Sequence, residues 1–68
     1  MIHEKEFQFW NKLIKEEFDM DYHSIVHIIE PDEQLDYYTI VGYVEKTSMV
    51  IRVEIPIYDK YKNSIMVN

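Results

Sequence analysis

The spacing of the apolar residues changes once along this chain, near residue 20, and that change dictates the class of fold. Before it, Phe7, Trp10, Ile14 and Phe18 recur at three- and four-residue steps, with Leu13 widening the stripe. This is the mark of an amphipathic helix, roughly Glu4 to Phe18. Good helix formers fill the gaps, and no Gly or Pro interrupts them. Phe9 lies off the stripe, either flanking the core beside Leu13 or facing water.

From Tyr22 the helical period is lost. Tyr22 to Ile29 is rich in β-branched and aromatic residues and reads as a first strand. Glu30-Pro31-Asp32-Glu33-Gln34 reads as a turn, with Pro suited to its first central position. Leu35 to Glu45 reads as a second strand, and Lys46-Thr47-Ser48 as a hairpin reversal. Met49 to Tyr58 alternates, with Met49, Ile51, Val53, Ile55 and Ile57 on one side. Pro56 cannot donate to a ladder, so this strand lies at an edge or stops pairing there. Asp59 to Asn63 reads as a polar turn, and Ser64 to Val67 as a short fourth strand or a tail. The expected architecture is α+β: one N-terminal helix packed on a three- to four-stranded antiparallel β-meander, in a single domain spanning residues 1–68.

Both faces of the second strand are apolar. Leu35, Tyr37, Thr39, Val41 and Tyr43 share one face; Tyr38, Ile40, Gly42 and Val44 share the other. One helix covers one face only, and exposed apolar patches rich in Tyr mark interfaces. The expectation is a homodimer formed through the sheet, with Tyr38, Ile40 and Val44 in its interface. The alternative is a half-wet face with the tyrosine tips outward. Gly42 inside a strand signals a bulge or the close approach of another backbone.

Size sharpens the case for a partner. A chain of 68 residues buries only about 60% of the surface its unfolded form exposes. With no cysteine there is no disulfide, thiolate metal site or thiol chemistry to add stability. The cysteine-free composition fits a reducing compartment, and the N-terminal segment has neither a signal-peptide nor a membrane-span pattern. A cytoplasmic protein is expected. An apolar content of 47% is too high for a disordered acidic tail.

The charge is lopsided. Residues 16 to 36 hold eight acids and no Lys or Arg, within a net charge of −6. Residues 37 to 68 hold four basic residues against three acids. Glu16 and Glu17 close the helix, where the macrodipole disfavours each by ~0.3–1 kcal/mol. The acids fall into two groups on either side of the first strand. A nine-residue strand would hold the groups roughly 30 Å apart, as separate patches in solution. Such an array resembles, in class only, the charge that small acidic inhibitors from phages and mobile elements present to nucleic-acid-binding sites. The other reading is a solvating surface.

Chemistry is otherwise sparse. His23 and His27 on a strand stand ~13 Å apart, too far to share one metal ion. There is no Gly-rich phosphate loop or Cys nucleophile, and the serines sit in no elbow. Four basic residues do not make a nucleic-acid groove beside so many acids. The expectation is a non-enzymatic macromolecule-binding protein without a cofactor, a metal, direct nucleic-acid binding or membrane binding. As an acidic inhibitor it would contact a basic protein surface through Glu16, Glu17, Asp19, Asp32, Glu33 and Asp36. The alternative is a self-assembling or scaffold-binding module that uses an apolar, tyrosine-rich sheet face.

Overall fold

The structure, a computed structural model, describes residues 2–66. Its elements are α1 (Glu4–Phe18), β1 (Ser24–Ile29), β2 (Tyr37–Val44), β3 (Thr47–Glu54) and α2 (Ile55–Met66). The strands form one antiparallel sheet in the order β1-β2-β3. The fold is α+β, an N-terminal helix on a three-stranded meander, completed by a second helix.

The ends of α1 follow helix chemistry closely. His3 is its extended N-cap and accepts the Lys5 N–H on Nδ1 at 3.2 Å. Glu4 and Glu6 sit in the first turn and Lys15 in the last, as the macrodipole favours. Asp19 ends the helix in the left-handed conformation, with its N–H on the Lys15 carbonyl at 3.0 Å. Asn11 then ties the connection back onto the helix. Its Oδ1 accepts the Tyr22 N–H at 2.8 Å, and its Nδ2 donates to Asp21 at 2.9 Å.

The register of β1 shifts between Ile25 and His27, leaving Val26 as a bulge. Between β1 and β2, Asp32 holds a tight turn by accepting the N–H groups of Gln34 and Leu35 at 2.8 and 2.9 Å. Glu45-Lys46 is a two-residue hairpin loop, with Glu45 at φ 58°.

The C-terminal segment departs from the sequence expectation. The strand ends at Glu54, and Ile55 to Met66 is helical. Pro56 sits in the first turn of α2, where its missing N–H has no intrahelical partner to lose. Asp59, Lys60, Lys62 and Asn63, expected as a turn, are exposed positions along this helix. Ser64 to Met66 belong to it as well, so they form no fourth strand; Val67 lies outside the described residues.

Both helices pack on the same face of the sheet. The core joins Trp10, Leu13 and Ile14 of α1 to Tyr22, Ile25, Ile40, Ile51, Val53 and Tyr61. Phe9 faces α2, its ring 5.5 Å from Tyr61 and 5.7 Å from Tyr58. Tyr38 bridges the layers, 4.9 Å from Trp10 and 4.5 Å from Tyr58. The molecule measures 34 × 32 × 22 Å. The short axis fits one sheet and one helix layer, at about 10 Å each.

Candidate functional site

Tyr38, Ile40 and Val44, expected at a dimer interface, lie on the helix-covered face. Ile40 is fully buried, and Tyr38 and Val44 pack against the core. They are committed to the intramolecular core, so an interface through the sheet must use the opposite face. The deciding signal was in the hairpin. A two-residue loop pairs Tyr43 with Ser48, Thr39 with Arg52 and Tyr37 with Glu54. Those polar partners on β3 mark that face as the open one.

The open face is built in cross-strand rows. Ser24, Tyr43 and Ser48 form the first; His27, Val41 and Val50 the second; Ile29, Thr39 and Arg52 the third; Tyr37 and Glu54 close it. Val50 is 59% exposed, Ile29 44% and Tyr43 41%. Arg52 leans over the Tyr37 ring, its guanidinium carbon 5.2 Å from the centroid. One cation and one carboxylate stand among eleven side chains, five of them apolar or aromatic, so the face carries no net charge and mixes apolar with polar groups.

The acids gather toward the two ends of the sheet. At the hairpin end, Asp19, Asp21 and Glu45 line one concavity beside Val44. At the other end, the loop from Glu30 to Asp36 carries Glu30, Asp32, Glu33 and Asp36. The eight residues of β2 set these ends about 25 Å apart. β1 has six residues instead of the nine expected, so the two groups are closer than the sequence suggested.

Glu16, Glu17, Asp19, Asp32, Glu33 and Asp36 are all exposed. Among the described residues none of the six forms an ion pair; Lys15 pairs instead with Asp21, at 3.7 Å. Asp32 has a structural duty. The donated Gln34 and Leu35 N–H bonds hold its carboxyl below the ordinary carboxylate range.

A second concavity, of about 380 Å³, opens between the helices and the end of β1. Phe9, Trp10, Tyr38 and Tyr58 wall it, and Lys5 and Lys62 stand at its rim. Gly42 shows both features its position suggested. It pairs with Ile25 beside the bulge, and an added Cβ would lie 2.2 Å from the Ser24 carbonyl oxygen.

Among the described residues, no group of three or more His, Asp or Glu side chains converges as a metal site. No helix among them is long and apolar enough to cross a membrane. No family model, curated protein or solved structure matches the chain.

Proposed function

We propose that this protein is a non-enzymatic, cytoplasmic binding protein that docks the open face of its sheet on a partner with a basic surface. What supports the reading is an open sheet face with exposed Val50, Ile29 and Tyr43 and no net charge, in a molecule whose exposed acids gather toward the two ends of the sheet. A desolvated apolar centre supplies affinity, while a charged rim supplies steering and partner choice. The complementary surface has an apolar strip flanked by cations about 25 Å apart. Such cations line the sites where proteins grip nucleic-acid phosphates. The protein would then act as an acidic inhibitor of a nucleic-acid-handling protein, of the kind that phages and mobile elements encode.

Self-assembly through the same face is the weaker reading. In an aligned sandwich of two sheets, each acidic end would meet an acidic end of the other copy.

The test is capture from a host lysate at low salt, followed by competition with duplex DNA. The reading expects a basic protein that DNA displaces from the wild type and that Tyr43→Asp fails to hold. Tyr43→Asp preserves the negative charge, so its failure isolates the apolar contact. Retention of the same protein by Tyr43→Asp, or indifference to DNA, would overturn the reading.

A further inference from the structure

The two edges of the sheet differ. β1 has six residues and is bulged between Ile25 and His27, and both features blunt an edge against pairing. β3 has eight residues, pairs with β2 without a register shift and contains no Pro. The side of β3 away from β2 has no strand beside it. Val50, the most exposed large apolar side chain among the described residues, stands at the middle of this strand. A long regular edge of this kind is a template for another strand.

We propose that the strand it takes is β3 of a second copy of this chain, antiparallel and centred on Val50, giving a two-fold dimer with one continuous six-stranded sheet. Charge selects the second copy and the register together. With Val50 opposite its own counterpart, Ser48 faces Arg52, Met49 faces Ile51 and Thr47 faces Val53. Lys46 then meets Glu54 at each end. Every open-face residue meets an open-face residue, as the two-residue period of a strand requires. Moving the centre to Met49 sets Lys46 against Arg52, two like charges. Moving it to Ile51 sets Glu54 against Ser48 and forfeits both ion pairs. The centred register overlaps the whole strand and pairs every charge at its ends.

The edge also suits a second copy because it lies on the neutral side of an acidic protein. Residues 16 to 36 carry eight acids, and they flank β1, whereas Lys46, Arg52 and Glu54 nearly balance along β3. β2 separates the two, so pairing through β3 leaves the acid-rich edges outermost in the dimer. The open faces join into one surface twice as wide.

The chain has no cysteine, so single cysteines report the geometry directly. Opposed residues of an antiparallel pair hold their Cα atoms about 4.5–5.5 Å apart, within the span of a disulfide. Under mild oxidation Val50→Cys is expected to form a covalent dimer. Val26→Cys, exposed on the bulged edge, is expected to remain a monomer. Light scattering should give a dimer mass for the unmodified chain. Lys46→Glu should weaken that dimer about tenfold, and Lys46→Glu combined with Glu54→Lys should restore it. A monomer mass, equal cross-linking at Val26 and Val50, or no recovery in the charge swap would overturn the proposal. These readouts use no partner protein, so their failure would leave the docking reading standing.

Discussion

The ring of Tyr22 lies against Gly42, so that a Cβ on residue 42 would stand 2.9 Å from two of its ring carbons. The Tyr22 hydroxyl reaches past it to within 3.0 Å of the Ile40 and Met49 carbonyl oxygens. One side chain from the connection after α1 thus touches both β2 and β3. Gly42 is what leaves room for it.

Gly42→Ala is therefore expected to destabilise by about 3 kcal/mol, because the nearest atom, the Ser24 carbonyl oxygen, is backbone and moves only with the strand. That is a large part of the stability of a domain this small. Urea unfolding followed by Trp10 fluorescence measures it. An unchanged midpoint would mean that the β1 bulge relaxes freely.

Tyr22→Phe keeps the ring and loses the hydroxyl, which should cost about 1 kcal/mol. Burial raises the Tyr22 ionisation above its ordinary value of 10.0, and Tyr38 and Tyr61 are raised as well. The folded state binds these protons more tightly than the unfolded chain does. Their contribution is complete below pH 10 and is lost as pH rises through the folded-state values. Alkaline unfolding should coincide with tyrosinate absorbance, and Tyr22→Phe should shift its onset upward. Ionisation of all six tyrosines without loss of fold would contradict this.

Asp32 works in the opposite sense. Its lowered ionisation means that it favours the folded state above the ordinary carboxylate value of 3.8, and that this is lost as pH falls. Asp32→Ala should loosen the turn at Gln34 and Leu35, seen as faster amide exchange there. Protection equal to the wild type would show that the turn holds without the carboxylate.

The bounds of α1 were legible because its apolar stripe is unbroken and its gaps are filled by helix formers. α2 was not, because Ile51, Val53, Ile55 and Ile57 alternate straight through the end of β3. The stripe of Ile57, Tyr58, Tyr61 and Ile65 carried the helical spacing, but Pro56 reads equally as a strand edge or as a helix start. The covered face of β2 could not be read from β2 alone, since both of its faces are apolar. The acids were legible as two groups. Their place at the two ends of the sheet follows only from its register.

Stability and binding should pull apart at the end of α1. Glu16→Lys with Glu17→Lys removes two charges that oppose the macrodipole and should stabilise by about 1 kcal/mol. Asp19→Gly relieves a left-handed residue, with a further gain below about 1 kcal/mol. The same changes remove three carboxylates from the C-terminal end of α1 and should weaken partner capture. Thermal melts and capture on the same variants read both effects. Stabilised variants with full capture would assign these acids to solvation alone.

The most direct test of the docking account is partner affinity against salt concentration for the wild type and for Glu33→Lys with Asp36→Lys, using the basic protein retained from the lysate. The account predicts that wild-type association slows steeply with added salt, and that the reversed variant binds at least tenfold more weakly at low salt. Equal affinities with flat salt dependence would contradict it and leave the apolar face as the whole of the contact.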